Sequence, residues 1–352
     1  MKKEHILVIR FSALGDVAMT VPVVWSLAQQ YPHVRITVLS RNSSRPLFED
    51  LAPNIGFMGA DMKLEYRGLK GLNRLYRRLT AKQFTSVADL HNVLRSEFLR
   101  LRFNIGRYRV EHIDKHRRGR RRLTKRQNKQ LVQQPTSFQN YVDVFERLGY
   151  PVNIDFHSIF PPEGGDIGLL PADVAALLTQ DVAAPCIGIA PFAAHRGKIY
   201  PPELMQQVIG LLTSLHPDAR LFLFGRGEQE EEWFTRWCRE YPQCLYVAHH
   251  VNSMKQELVL MSHLQVMLSM DSANMHLASL TGIPVVSIWG ATHPYAGFLG
   301  WGQSEDNALQ AELDCRPCSI FGQKRCHRGD YRCMTLIKPT TIVAKIESFI
   351  TN

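Results

Sequence analysis

An aspartate stands where one apolar run gives way to another. In VIRFSALGDVAMTVP, residues 8–22, the first run ends at Arg10, and Ser12, Gly15 and Asp16 precede the next. If residues 5–10 form a strand, FSALGD is the loop at its carboxyl end and Asp16 opens the following helix. Free amides and the helix dipole favour a carboxylate there, and such a carboxylate can take a proton from a substrate hydroxyl. A plain N-cap accounts for the position equally well, and the two roles are compatible. Gly15 allows close approach of a ligand or a positive φ.

A second group lies in LSMDSANMHLASLTG, residues 268–282. Asp271 ends a strand, and Ser272 and Ala273 begin a helix whose exposed amides suit a diphosphate. His276 follows one turn later, on a face that reaches the same ligand. The alternative is an ordinary strand–helix junction with a core histidine. In APFAAHRGKIYPPE, Lys198 can neutralise a phosphate as a mobile point charge, although most surface lysines do nothing specific. In FLFGRGEQEEEW, Gly225 and Gly227 follow a strand, and Glu228 can accept hydrogen bonds from a sugar or base. This is not the dinucleotide fingerprint, whose third glycine is replaced by Glu230. Cys315, Cys318, Cys326 and Cys333 read C-x2-C and then C-x6-C. Such a set can hold a structural zinc, but paired C-x2-C knuckles would be the stronger pattern, and reduced packing cysteines are preferred.

The elements that must position these residues follow from hydrophobic patterning. HILVIRF, VRITVLS and FTSVADLH are apolar runs expected of parallel strands covered on both faces. DVAMTVPVVWSLAQQYP, a basic stretch from Leu69 to Lys82, and SFQNYVDVFERLGYP with Gly149 as its cap read as helices. Residues 160–185, rich in Pro and Gly, are the expected linker. A second series follows: strands at CIGIAPF, ARLFLFG, QCLYVAHH, LQVMLSM and IPVVSIWG. Helices lie at PPELMQQVIGLLTSLHP, EQEEEWFTRWCREYP, SMKQELVLMSH and SANMHLASLTG, and TTIVAKIESFITN closes the chain. Strands alternating with helices predict two α/β halves with parallel sheets facing one cleft. The expected domains are residues 1–170 and 171–338, with a closing helix over 339–352 that could pack back on the first.

At 352 residues, 45% apolar and 21% charged, the chain reads as soluble and globular. No run approaches the ~18 apolar residues of a membrane span. The basic, then apolar start lacks a small-residue cleavage pattern and reads as a first strand, so a reducing cytosol is the expected compartment. The net charge is +10, but residues 63–129 hold 21 of the 42 Lys+Arg and only five acids. One region therefore meets something anionic: nucleic acid, a membrane surface or a phosphorylated substrate. Residues 112–137 contain no aromatic side chain for base stacking, so an anionic membrane surface is favoured over nucleic acid for the stretch 95–129.

Taken in order, ILVIRFSALGDVAMTVPVV, VADLHNVLRS, APFAAHRGKIYPPE, DSANMHLASLTGIPVVSIWGATHP and the cysteine set resemble the glycosyltransferase family 9 heptosyltransferases. The resemblance implies a GT-B fold of two Rossmann-like domains and an inverting, metal-independent transfer without a cofactor. The donor would be a nucleotide sugar, typically ADP-heptose, and the acceptor an anionic lipid-linked glycan of the lipopolysaccharide inner core. The enzyme would work in the cytoplasm, peripherally at the inner face of the inner membrane. Asp16 matches the family's catalytic base, and Lys198, Asp271, Ser272, Ala273 and His276 match its donor site, Glu228 more loosely. Ser12, Gly15, His91, Asn92 and Arg95 fall in the motifs expected to meet the acceptor. The chain departs from the pattern at Ala273, where glycine is usual, at Ala193 and Ala194, where hydroxyl residues are common, and at Tyr200, where tryptophan is usual. These departures leave the donor sugar open. A transferase with another donor or acceptor, and a nucleic-acid-binding protein using residues 95–129, are the alternative readings.

Overall fold

The computed structural model describes residues 4–181 and 183–350. Residues 1–3, 182 and 351–352, which the expected first domain, linker and closing helix include, lie outside the described residues. The chain forms two compact units. One holds the chain up to His116 together with Pro135–Phe156; the other holds Arg117–Gln134 and the chain from His157 onward.

The first unit contains strands β1 (His5–Ile9), β2 (Arg35–Ser40), β3 (Ile55–Gly59), β4 (Ser86–Asp89) and β5 (Arg109–His112). They form a parallel sheet in the order β3-β2-β1-β4-β5, with Leu7 opposite Thr37 on one side and Val87 on the other. The helices are α1 (Leu14–Ala18), α2 (Val21–Gln30), α3 (Gly68–Thr80), α4 (Leu94–Ile105) and, after α5 (Arg117–Leu123) of the other unit, α6 (Ser137–Arg147). Every residue of β1 is buried, as a strand covered on both faces requires. Leu72, Leu75 and Leu79 of α3 pack with Leu7, Ile9 and Phe103. Thr136 and Gln139 form a reciprocal capping box at the start of α6, and Gly149, at φ +85°, ends it as expected.

Three readings of this unit change. The helix expected after Asp16 is two helices, separated at Met19–Thr20 just before Pro22, which lacks an N–H and sits in the first turn of α2. Strands β3 and β5 were not expected: β3 is a short, glycine-interrupted run and β5 is mostly polar, and each lies at a sheet edge and is only partly buried. Gly15 lies inside α1, so it serves no left-handed turn.

The second unit contains β6 (Cys186–Ala190), β7 (Arg220–Leu223), β8 (Cys244–Tyr246), β9 (Val266–Met270), β10 (Val285–Trp289) and β11 (Ala308–Gln310), in the parallel order β11-β10-β9-β6-β7-β8. Its helices beyond α5 are α7 (Ala172–Thr179), α8 (Pro202–Leu215), α9 (Glu228–Glu240), α10 (Val247–His250), α11 (Met254–Ser262), α12 (Ala273–Leu280), α13 (Arg332–Thr335) and α14 (Pro339–Ile350). The expected boundary moves from residue 170 to residue 156, and the expected linker contains α7 and is tied to α11, where Gly165 donates its N–H to Ser262 Oγ. The closing helix packs in the core of the second unit, not on the first: Ile342, Val343 and Ile346 join Ile209, Leu212 and Leu268.

The basic stretch 95–129 is also not one solvated region. Its later part belongs to the second unit. There the Arg120 guanidinium lies 4.5 Å from the Phe298 ring centre, and Lys129 donates to the carbonyls of Asp314 and Arg316, each at 2.7 Å.

Both sheets reverse direction once. The first runs outward from β1 through β2 to β3, then resumes on the other side at β4; the second does the same from β6, resuming at β9. Ligands of such sheets bind beyond the carboxyl ends of the strands at these reversals. The loops after β1, β4, β6 and β9 are therefore the places to look.

Candidate active site

After β1, Asp16 is the third residue of α1, and Ala13, not Asp16, is the N-cap. Ala13 donates its N–H to Asp16 Oδ2 at 3.0 Å, and Arg10 Nη2 lies 2.6 Å from the same oxygen. The Arg10 side chain is 7% exposed and that of Asp16 29%. A second Arg10 nitrogen donates to Leu90 O at 2.6 Å. Burial opposes the Arg10 charge, but Tyr141, Asp16 and Asp89 outweigh it and hold its pKa above the ordinary value. Arg10 thus clamps a partly exposed carboxylate through a short, charge-assisted contact. The Tyr141 hydroxyl donates to the Asp16 carbonyl, which fixes the backbone beneath it.

At the end of β4, Asp89 is fully buried and accepts the N–H groups of His91 and Asn92, while Arg100 Nη1 lies 3.3 Å from its other oxygen. Phe11 donates its N–H to His91 Nδ1, which assigns the ring proton to Nε2, 3.5 Å from Ser12 Oγ. Burial first, then the charges of Arg10 and Lys115, lower the His91 pKa to about 3, so the ring is neutral at pH 7. Ser12 and His91 are thereby neighbours, and the Asp16 carboxylate is near enough for its charge to act on the His91 ring. Asn92, at φ +46°, is committed to the frame: its amide donates to Ile113 O and accepts from Arg100. Arg95 is exposed at the start of α4.

In the second unit, Lys198 ends a 3₁₀ turn (Arg196–Lys198) after β6, and Asp271 follows the neighbouring strand β9. Lys198 Nζ lies 2.8 Å from Asp271 Oδ2, with side chains 15% and 4% exposed. Ser272 is the N-cap of α12 but its side chain caps no amide; its Oγ lies 3.3 Å from Ser269 Oγ. Ala273 is the first helical residue, and His276 is buried in the next turn. An ammonium beside helix-start amides is a setting for a diphosphate. Two further loops fix Lys198. Ala291 donates its N–H to Gly197 O, and Gly322, at φ +79°, lies under the Lys198 stem so closely that a Cβ there would stand 2.6 Å from Cγ. Glu228 is the exposed first residue of α9, and no contact among the described residues joins it to this cluster.

The four clustered cysteines line one small depression with Arg316 and Asp330. Among the described residues no group of three or more His, Cys, Asp or Glu side chains is arranged to hold a metal, so the zinc alternative finds no preformed cage. Burial raises the Cys333 thiol to about 11. The sequence reading missed the roles of Arg10, Asp89, Arg100 and Gly322. Arg10 had a signal, being the one charge at the end of an apolar run; the others acquire their roles only through contacts with residues distant in the chain or in another turn.

The sequence model of glycosyltransferase family 9 (heptosyltransferase) matches residues 72–325. The lipopolysaccharide core heptosyltransferase OpsX of Haemophilus influenzae is 22% identical over 296 residues, 83% of this chain and 80% of that one. A glycosyl transferase family 9 structure from Veillonella parvula superposes with a TM-score of 0.72 at 17% identity, covering 100% of this chain and 98% of that one. The Escherichia coli heptosyltransferase WaaC with ADP gives 0.69 at 16%, covering 98% and 99%. These likenesses establish a shared GT-B-type fold of two Rossmann-like units. Since the family pattern itself spans most of the chain, from α3 to the cysteine loop that supports Lys198, the chain belongs to glycosyltransferase family 9 and is a glycosyltransferase.

Proposed function

We propose that this enzyme transfers a heptose from ADP-heptose to an anionic, lipid-linked acceptor of the lipopolysaccharide inner core. The acceptor oxygen attacks the anomeric carbon from the face opposite the leaving group, so the new bond has inverted configuration. Asp16 takes the hydroxyl proton as the carbon–oxygen bond forms, and the bond to the diphosphate breaks with its electron pair on the phosphate oxygen. Lys198 and the first amides of α12 meet that growing charge in place of a metal ion. Asp271 positions the Lys198 ammonium. Ser12 and His91 contact the acceptor, and Arg95 meets its negative charge.

The observations that support this reading are one in each unit: a clamped carboxylate after β1, and a clamped ammonium after β6 beside the helix start that follows β9. The names of the relatives, a core heptosyltransferase and a heptosyltransferase with ADP, supply the sugar and nucleotide. Peripheral membrane contact at the cytoplasmic face is supported by exposed Leu64, Leu69, Leu94, Leu101 and Ile105 among the cations of residues 63–107. No helix among the described residues is long and apolar enough to cross a membrane.

The test is Asp16→Asn. Transfer from ADP-heptose should fall by ~10²–10⁴-fold, while ADP still raises the melting temperature as it does in the wild type. Turnover near that of the wild type would remove Asp16 from the base role.

A further inference from the structure

The arginine-rich segment and the cysteine loop, nearly 200 residues apart in the chain, enclose a pocket of about 380 Å³ within the second unit. One wall carries Thr124, Lys125 and Arg126, the other Lys324, Arg325 and His327, and the floor has Asp314, Cys315 and Cys318. Four permanent cations thus line one pocket that holds a single carboxylate, Asp314. An excess of cations around one concavity gives it a positive potential that favours an anion. The walls are fastened to each other beneath the pocket, where the Lys129 ammonium donates to the carbonyls of Asp314 and Arg316 at 2.7 Å. Gln134, further along the arginine-rich segment, donates its N–H to Tyr295 O and ties that segment to another part of the second unit.

We propose that this pocket binds a phosphomonoester group carried on a sugar or lipid headgroup, at a site separate from the Lys198–Asp271 cluster. The charge of a phosphomonoester, about −1.5 to −2 at neutral pH, matches the excess of cations. The volume falls within the range of small-molecule pockets, roughly 300–1,000 Å³, and leaves room for the group that bears the phosphate. The lining holds no Phe, Tyr or Trp on which a base could stack, which disfavours a nucleic acid. The inference stands on the geometry of this pocket and needs neither the donor nor the acceptor of the proposed reaction.

Binding of glucose 6-phosphate, inorganic phosphate and phosphatidate-containing vesicles to the full chain, by calorimetry and co-sedimentation, tests it. The double variants K324Q/R325Q and K125Q/R126Q remove opposite walls, so a folding defect in one leaves the other to decide. Each should weaken phosphomonoester binding at least tenfold, while R239Q, at an exposed cation of α9 outside the pocket, leaves it intact. Binding of the soluble sugar phosphate alone identifies a sugar as carrier, and binding of the vesicles alone a headgroup. Affinities unchanged in both double variants, or weakened as much by R239Q, would overturn the site. An oligonucleotide that outcompetes glucose 6-phosphate here would overturn the ligand class.

Discussion

At the scale of single residues, two ion pairs organise the candidate site, and each has one nearly buried member. Arg10 and Asp271 are enclosed, whereas Asp16 and Lys198 are the members that solvent reaches. Removing one member of such a pair leaves a buried charge uncompensated, which costs about 3–5 kcal/mol. His91 makes the neighbourhood of Asp16 sensitive to pH. Its pKa of about 3 in the folded chain lies below the ordinary 6.5. Between these values the unfolded chain binds a proton that the folded chain refuses, so stability rises with pH across that window and is constant above it. His293 in the second unit, lowered to about 4 by burial and then by Arg316 and Lys129, acts in the same direction. Each contributes a slope of up to about 1.4 kcal/mol per pH unit. Urea unfolding between pH 6.5 and 4.5 should show this slope, and His91→Gln should flatten it by one histidine's share. An unchanged slope in the variant would remove His91 from the acid response.

At the scale of elements, the strands that were legible are those buried on both faces. HILVI and VMLSM are buried throughout and apolar but for His5 and Ser269, because helices cover both sides of a parallel sheet. The short edge strands IGFMG and RVEH were not legible, since an edge position imposes no burial pattern. The closing helix was legible as a helix, but its docking partner was not: an apolar stripe states that something covers it, not what. That stripe predicts an outcome. Burying Ile342, Val343 and Ile346 contributes ~1.5–3 kcal/mol apiece, a sum comparable to the ~5–15 kcal/mol that holds a domain together. A chain ending at Lys338 should lose cooperative unfolding of the second unit and its stabilisation by ADP. A truncated chain that melts like the intact one would show that α14 is dispensable.

At the scale of the molecule, the charge is segregated. Residues 63–129 carry half of all Lys and Arg, yet the structure divides them between two units. The part in the first unit includes α3 and α4, which pack against each other and leave Leu69, Leu94, Leu101 and Ile105 exposed beside arginines. Apolar insertion and charge attraction predict different salt responses, because screening shortens from about 10 Å at 0.1 M to 3 Å at 1 M. Binding to anionic vesicles should fall steeply with salt. The double variant L94E/L101E should weaken it at every salt concentration, as measured by co-sedimentation. Salt-independent binding would exclude the cationic contribution, and an unaffected double variant would exclude the apolar one.

The sequence by itself determined the local matters: which runs are buried strands, where Asp16, Lys198 and the Asp271–His276 turn fall relative to them, and that the cationic charge is concentrated. These follow from periodicity and from the chemistry of single residue types, which neighbours in the chain suffice to express. Only the tertiary structure decided that Arg10 clamps Asp16, that Asp271 holds Lys198, that Gly322 supports the Lys198 stem, and that the arginine-rich segment joins the second unit. Contacts between distant residues are set by packing of whole elements, and a polar side chain carries no periodic signature that names its partner.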